Sequence, residues 1–376
     1  MLTPDEQRRY QRQTVLPEIG TQGQEKLKNA RVLVVGAGGL GCPVLLYLAA
    51  AGVGTLGIVD GDAVSESNLH RQILYGTADV GYSKAAVATR RLGELNPFVR
   101  AVPYAHHLDR TNALDIGRQY DLVVDCTDNF AARYLVNDTC VLLDKPFVYA
   151  AIHRFEGHVS VFNYTDRRQT IATPGPTYRC LFPEPPGPGQ IPNCEQAGVV
   201  GVLPGIVGIY QANEVIKLIT GAGRGLSGEL LILDLLAMTT RKIRFRRRAE
   251  AGEITALIDY EAFCHGFRAD QVKAIDGRAL HQKLAAGEAV VLVDVREPYE
   301  YDICHLEGAI LIPMDRVGER PDRIPVDRPV VVYCHHGMRS AHVIRELQQK
   351  GYTNLLNLSG GIDAWARAVD RAMAVY

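Results

Sequence analysis

Two clusters in this 376-residue chain have residue types and spacing that could do chemistry. The first is Gly36-Ala37-Gly38-Gly39-Leu40-Gly41, a G-x-G-x-x-G run. Such glycines let backbone approach a phosphate at a helix amino terminus, where unpaired N–H groups favour an anion. The second is Cys334-His335-His336-Gly337-Met338-Arg339-Ser340. A tight turn between a strand and a helix aims N–H groups inward, and that field stabilises a thiolate or a persulfide anion. Arg339 adds a positive charge. One cluster is suited to activating a carboxylate with a nucleotide, the other to holding a sulfur atom.

The elements around each cluster follow from the apolar pattern. Arg31–Val35 is a β-branched run ending at the glycines. Pro43 falls where a first helical turn tolerates it, an Ala/Leu-rich helix runs to Ala51, and Thr55 to Asp60 is the next strand. Strand, loop, helix, strand is the βαβ unit of a doubly wound, Rossmann-like α/β sheet. A helix follows from about Ser83 to Asn96, a buried strand at Leu122–Asp125, and two strands between Phe147 and Phe162 around Glu156-Gly157. Thr173 to Pro192, dense in Pro and Gly, is expected to be a long exposed loop rather than core. Pro204 to Thr220 is an apolar helix and Leu230 to Leu236 a strand. Arg241 to Arg248, with six basic residues in eight, is either a solvated edge strand or a docking patch for an acidic partner. A second, smaller α/β pattern begins near Ile275, with strands at Val290–Val295, Ala309–Ile312, Val330–Tyr333 and Leu355–Leu358. The expected organisation is a nucleotide-binding domain over residues 1–267, a linker over 268–275 and a sulfur-handling domain over 276–376.

A lone glycine fingerprint fits a nicotinamide dehydrogenase as well as an ATP enzyme. The residues after it separate the two. Asp60-Gly61-Asp62, Asn68-Leu69-His70-Arg71-Gln72, Lys84 and Asp125-Cys126-Thr127-Asp128-Asn129 hold more charge than hydride transfer needs. Breaking the α–β phosphoanhydride of ATP requires it, because a pyrophosphate must leave while a carboxylate approaches another anion. Arg71 and Lys84 suit the phosphates, Asp60 the ribose hydroxyls, and Asp128 a magnesium ion, which prefers hard oxygen ligands.

These motifs, with Tyr10-x-Arg12-Gln13 in front and Leu257-Ile258-Asp259-Tyr260-Glu261-x-Phe263-Cys264 behind, resemble the MoeB/ThiF family over about Tyr10 to Phe267. Its members are ATP-dependent adenylyltransferases of ubiquitin-like sulfur-carrier proteins. The resemblance implies that the carboxylate of a carrier's terminal Gly-Gly attacks ATP to give an acyl-adenylate. It places Gly36, Gly38, Gly39, Gly41, Asp60, Asp62, Asn68, Arg71, Gln72, Lys84, Asp128 and Asn129 around the nucleotide. It also implies a homodimer in which Arg12 reaches the partner's ATP site. Cys194, in Pro192-Asn193-Cys194-Glu195-Gln196, matches the family's crossover-loop cysteine. That residue either holds the carrier as a thioester or relays sulfur. Cys42, Cys126 and Cys140 fall in expected cores, where packing is the better account.

One departure matters. Many relatives bind structural zinc through two Cys-x-x-Cys pairs, a tetrahedral thiolate set. Here the first reads Thr177-Tyr178-Arg179-Cys180, and Arg246–Glu253 holds no cysteine. One thiolate cannot make the site, so no zinc is expected and Cys180 is left without sulfur partners.

At the second cluster, Cys-x4-Arg spacing resembles rhodanese sulfurtransferases, whereas related phosphatases carry one more residue in the loop. Asp294-Val295-Arg296-Glu297-x-x-Glu300-Tyr301, His305-Leu306-Glu307-Gly308 and Leu358-Ser359-Gly360-Gly361-x-x-Ala364-Trp365 extend that resemblance over about Ile275 to Ala368. Asp294 and Arg296 are expected to be a structural ion pair, and His305 a turn or hydrogen-bonding residue rather than a proton donor. His335 and His336 line the loop.

The two resemblances together imply a fused adenylyltransferase–sulfurtransferase using ATP and Mg2+. Its carrier would be the small subunit of molybdopterin synthase or a related protein of thiamine, tRNA-thiolation or cysteine pathways. Its sulfur donor would be a persulfide source such as a cysteine desulfurase, or thiosulfate. A dehydrogenase fused to a sulfurtransferase leaves Arg71, Lys84 and Asp128 without a task. A binding scaffold with a degenerate ATP site, and an adenylating enzyme that makes an amide, remain alternatives. A net charge of −1 gives no reason to expect nucleic acid or a membrane surface as partner. No apolar run is expected to reach spanning length, and eight scattered cysteines point to a reducing cytoplasm.

Overall fold

The computed structural model describes residues 1–165, 173–186, 198–248, 254–265, 272–319 and 323–375. The chain folds as two compact units, one built from Met1–Pro185 and Pro192–Tyr260, the other containing Glu261–Tyr376.

In the first unit, helices α1 (Pro4–Thr14) and α2 (Gly20–Asn29) precede strand β1 (Arg31–Val35). Helix α3 (Gly41–Ala51), β2 (Thr55–Val59), α4 (Lys84–Leu95) and β3 (Arg100–Tyr104) complete the first half of the sheet. Then come α5 (Ala113–Gly117), β4 (Leu122–Asp125), α6 (Phe130–Leu142) and β5 (Phe147–His153). The strands run in the order β3-β2-β1-β4-β5, all parallel. The order reverses between β1 and β4, so the crevice outside their carboxyl ends is where a ligand is expected. The buried runs Val32–Val35 and Leu122–Asp125 fit strands covered on both faces.

An antiparallel extension follows: β6 (Glu156–Phe162), then after α7 (Tyr178–Leu181) and α8 (Val202–Thr220), β7 (Glu229–Asp234) and β8 (Thr239–Arg244). The hairpin turns at Arg154, in left-handed conformation (φ 53°), so Glu156-Gly157 opens β6 rather than forming the turn. β8 ends the sheet, exposed at all six positions, as an edge strand of cations should be.

Two sequence expectations are corrected. Helix α8 is long and apolar enough, by length and composition, to cross a membrane. It carries Glu214 and Lys217, however, and packs against α2, α3, β5 and β6. The segment expected to be wholly exposed loop also contributes core. Tyr178 and Cys180 are each 1% exposed. Tyr178 packs among Tyr134, Tyr149, Phe162 and Phe182. Few apolar residues sufficed because those present are aromatic.

Helix α9 (Tyr260–His265) leads into the second unit. There β9 (Ala274–Ile275), α10 (Gly277–Ala285), β10 (Val291–Asp294), α11 (Pro298–Ile303) and β11 (Ile310–Leu311) precede β12 (Val330–Tyr333). Helix α12 (Met338–Gln349), β13 (Leu355–Leu358) and α13 (Gly361–Ala368) finish it. The five strands are parallel in the order β11-β10-β12-β13-β9, with β12 at the centre and Cys334 at its carboxyl end.

Candidate active sites

The glycine loop leaves β1 through Gly36, whose φ of 93° is left-handed. A Cβ there would stand 2.7 Å from the Cys126 carbonyl, and one on Gly41 would stand 2.0 Å from the Gly36 carbonyl. Side chains are therefore excluded at both positions, and the loop closes tightly onto α3. A Cβ on Gly39 would press on Pro204 at 3.1 Å and lie 3.6 Å from Arg71 Cγ. Gly38 faces the Gln72 side chain.

Asp60, at the end of β2, is buried beside this loop. Its Oδ2 accepts from the Ala37 N–H (2.8 Å) and its Oδ1 from the Asp62 N–H (2.9 Å). Burial raises the Asp60 carboxyl above the ordinary range, while the Lys84 ammonium pulls it down. The Asp62 carboxylate accepts from Lys84 Nζ at 3.0 Å, with His107 Nε2 3.7 Å away on its other oxygen. Lys84 is 4% exposed, so its charge is held inside the crevice wall.

The short helical turn Glu66–Asn68 carries the next group. Asn68 Oδ1 accepts from Gln72 Nε2 (3.2 Å), and the Asn68 carbonyl accepts from the Arg71 and Gln72 N–H groups. Arg71 Nη1 lies 2.8 Å from His70 Nε2 and donates to the Ser67 carbonyl at 3.3 Å. Gln72 Oε1 is buried with no hydrogen-bond partner among the described residues. A cradle closed to side chains, a partly buried cation and an unpaired buried acceptor are what a nucleotide's phosphates and hydroxyls would meet. The residues present fit ATP.

At the end of β4, Asp125 is fully buried, bonded to Thr127, with its carboxyl raised by that burial. Asp128 and Asn129 are exposed, and Asn129 caps α6 through the Ala132 N–H (2.8 Å). Asp128 thus offers a carboxylate at the open end of the strand. Beneath the loop, Gln211 of α8 donates to the carbonyls of Asp125 (2.7 Å) and Val148 (3.3 Å). Sequence reasoning missed this residue; a lone Gln in an apolar helix was the available signal. Arg12 is exposed on α1, and among the described residues no hydrogen bond or ion pair ties its side chain to the cluster. Cys194 lies outside the described residues. Burial pushes the Cys42 thiol up to about 12 and raises those of Cys126 and Cys140, so these are packing thiols.

Cys180 Sγ, with no sulfur partner among the described residues, accepts from the N–H groups of Thr177 and Arg248, both at 3.4 Å. Arg179 grips Asp138 through Nε (2.9 Å) and Nη2 (2.8 Å), and the Tyr260 hydroxyl donates to Asp138 Oδ2 (2.9 Å). One carboxylate thus fastens α7 and the start of α9 onto α6.

In the second unit Cys334 is buried, 2% exposed. Its Sγ accepts from the Gly337 N–H at 3.1 Å, and Ser340 Oγ lies 3.5 Å away. Gly337 has a φ of 92°, and α12 starts immediately after it. The carbonyls of Cys334 and His335 accept from the N–H groups of Ile362 and Asp363, at the start of α13. A Cβ on Gly361 would stand 2.2 Å from the His335 carbonyl, which explains the glycine that opens that helix. Burial lowers His335 to about 4, His336 adding to the effect, so its imidazole is neutral at pH 7.

Arg339 does not stand as an open cation. Its Nη1 and Nη2 each donate to a Glu300 oxygen at 2.7 Å. Glu300 sits inside the Asp294–Tyr301 motif but had been given no role. Asp294 and Arg296 form the expected ion pair, wholly buried, and Arg296 Nη2 also donates to the Cys304 carbonyl (2.7 Å). His305 stacks on Tyr301 with ring centroids 3.9 Å apart. Among the described residues, no three His, Cys, Asp or Glu side chains gather as a metal site.

Comparison with known proteins agrees with both halves. Residues 10–253 match the ThiF family and residues 277–368 the rhodanese-like domain. A Mycobacterium tuberculosis protein named probable adenylyltransferase/sulfurtransferase MoeZ is 47% identical over 382 residues, covering 100% of this chain and 96% of its own. The Sus scrofa adenylyltransferase and sulfurtransferase MOCS3 is 41% identical, covering 100% of this chain and 89% of its own. A Thermus thermophilus sulfur carrier protein adenylyltransferase is 53% identical over 70% of this chain and 98% of its own. Among solved structures, E. coli MccB with MccA-N7isoASN superposes with a TM-score of 0.56 at 23% identity, over 64% of this chain and 72% of that one. This last likeness concerns the fold.

Proposed function

The chain belongs to the ThiF family and carries a rhodanese-like domain behind it, and from that premise we propose that it makes a carrier-protein thiocarboxylate. It is an adenylyltransferase joined to a sulfurtransferase. The observation that carries the reading is the convergence of the closed glycine loop, Asp60, Arg71 and Lys84 at one sheet crevice, with a cradled cysteine elsewhere on the chain.

The substrate is a ubiquitin-like sulfur carrier ending in Gly-Gly, the molybdopterin-synthase small subunit or a related protein. One oxygen of its terminal carboxylate bonds to the α-phosphorus of ATP, and the bond from that phosphorus to the bridging oxygen breaks, releasing pyrophosphate. Arg71 and Lys84 offset charge on the phosphates, with Arg12 of a second protomer as a further cation. Asp60 orients the ribose, while Asn68, Gln72 and Asp62 hold these groups in place. Lys84 must leave Asp62 to do its part. A magnesium ion at Asp128 would supply Lewis-acid charge neutralisation. No zinc is expected.

The outer sulfur of a Cys334 persulfide, loaded from a cysteine-desulfurase-type donor or thiosulfate, then attacks the acyl carbon, and the bond to AMP breaks. The carrier now sits on the outer sulfur. A second thiol attacks Cys334 Sγ; the carrier leaves as thiocarboxylate with the electrons of the broken S–S bond. The two enzyme sulfurs remain as a disulfide, which an external thiol must reduce. Cys194, the crossover-loop cysteine, is the candidate for that second thiol; holding the carrier as a thioester is its alternative role.

A homodimer is supported by the exposed apolar side chains Val15, Leu16, Tyr47, Val202, Ile209 and Tyr210 on one unit. A reducing cytoplasm accords with the seven described cysteines, all free thiols. Carrier-dependent ATP–pyrophosphate exchange tests the reading. Cys334→Ala should abolish thiosulfate:cyanide transfer and leave exchange intact. Absence of exchange with every Gly-Gly carrier tried would defeat the adenylation half, and joint loss in Cys334→Ala would count against separable sites.

A further inference from the structure

The second unit buries a side chain that this chemistry does not use. Asn357, in β13, is 4% exposed. Its Nδ2 donates to the Gly337 carbonyl (3.0 Å) and its Oδ1 accepts from the Ser340 hydroxyl (2.6 Å). Both partners also flank the cysteine: the Gly337 N–H donates to Cys334 Sγ at 3.1 Å, and Ser340 Oγ lies 3.5 Å from the same sulfur.

Proton counting fixes the directions. A carbonyl oxygen only accepts, so Gly337 dictates that the NH2 end of the amide faces it. The oxygen end then faces Ser340. A serine hydroxyl has one proton, and at 2.6 Å that proton lies on the line to Asn357. Ser340 therefore turns a lone pair, not a hydrogen, toward Cys334 Sγ.

We propose that Asn357 is a positioning residue for the sulfur: by holding the Ser340 proton it keeps that hydroxyl an acceptor for the Cys334 S–H, and leaves the Gly337 N–H as donor to Sγ. The resting thiol is then bonded in line, S–H to Oγ–H to Oδ1. When the sulfur loses its proton it needs donors instead, and Ser340 can become one only by releasing Asn357. The network thus sets how readily the thiolate forms. This inference rests on reading the unit as a sulfurtransferase.

The charged and titratable groups around the network are Arg339 with Glu300, Arg296 with Asp294, Asp363 beside His335 and His336, and the Tyr333 hydroxyl, which accepts from the Leu306 N–H. The substitutions below leave all of them in place.

The test is the pH dependence of Cys334 alkylation by iodoacetamide in the full chain, read on the Cys334 peptide by mass spectrometry. Asn357→Leu frees the Ser340 proton for the thiolate, and the half-point should fall by about one pH unit, the size expected for one hydrogen bond to a charged acceptor. In a Ser340→Ala background the same substitution should move nothing. Asn357→Asp, which keeps an oxygen on Ser340, should not lower the half-point. Ser340→Ala alone gives a second measurement should Asn357→Leu fail to fold: loss of an acceptor does not raise the half-point. A rise in Ser340→Ala, no shift in Asn357→Leu, or an equal shift without the serine overturns the proposal. If neither thiosulfate nor glutathione persulfide loads wild-type Cys334 with sulfur, the sulfurtransferase reading fails, independently of the alkylation profiles.

Discussion

Glu300 closes on Arg339 at two points, Oε2 on Nη1 and Oε1 on Nη2, each at 2.7 Å. The same Glu300 Oε2 caps α11 through the Glu297 N–H (2.9 Å). Arg339, in the first turn of α12, is therefore a fixed, compensated group, and its carboxylate partner comes from another helix. Glu300→Ala removes both of these contacts from a largely buried guanidinium, and such removals cost about 3 kcal/mol. Trp365, the chain's only tryptophan, lies in this unit and reports its unfolding in denaturant. Glu300→Gln, which keeps a hydrogen-bonding amide, should lose clearly less. Equal losses would mean the charge pairing is immaterial.

Lys84 is nearly buried, whereas its partner Asp62 is largely exposed. The lysine is thus positioned more by the crevice wall than by the pair. Lys84→Ala should slow carrier-dependent ATP–pyrophosphate exchange about 100-fold, the scale of losing one electrostatic stabiliser. Thiosulfate:cyanide transfer should stay at the wild-type rate. A parallel loss of both activities would point to misfolding.

His335 supplies a pH test. Burial depresses its folded value to about 4 from 6.5. A histidine so depressed binds fewer protons folded than unfolded between those values, so stability is full above about 6.5 and drains away as pH falls through about 4. The midpoint of denaturant unfolding followed at Trp365 should fall between pH 7 and pH 5. His335→Gln should flatten part of that fall. An unchanged slope would remove His335 as the cause.

Asp138 is expected to do by hydrogen bonds what zinc does in many relatives. It holds Arg179 by two contacts and the Tyr260 hydroxyl by a third. Asp138→Ala leaves Arg179 without this partner and should lower the stability of the first unit by about 3 kcal/mol. Metal analysis of the purified chain should find far less than one zinc per chain; a stoichiometric zinc would refute the substitution of clasp for metal.

Local pattern carried much of this. The β-branched runs at Val32–Val35 and Val330–Tyr333 place the glycine loop and Cys334 at strand ends because buried parallel strands tolerate little else. Pairings across the chain were less visible. The grip of Glu300 on Arg339 joins residues 39 positions apart, and that of Arg179 on Asp138 joins residues 41 apart. Nothing in local spacing signals either. Tyr178 looked like loop among prolines, since its burial depends on aromatic neighbours from three other elements. Asn357 was invisible as a ligand-side residue because its role lies in the direction of one proton.

The open flank of β8 has a consequence for how molecules behave in crowded solution. A six-residue strand whose outer edge has no partner among the described residues is a template onto which the same strand of another molecule could zip. Here Arg241, Lys242 and Arg244 put a row of cations along that edge, an incoming copy would bring a second row against it, and like charges at that distance repel. Added salt weakens such repulsion. Ionic strength should therefore govern how concentrated the protein can become before fibrous self-association begins.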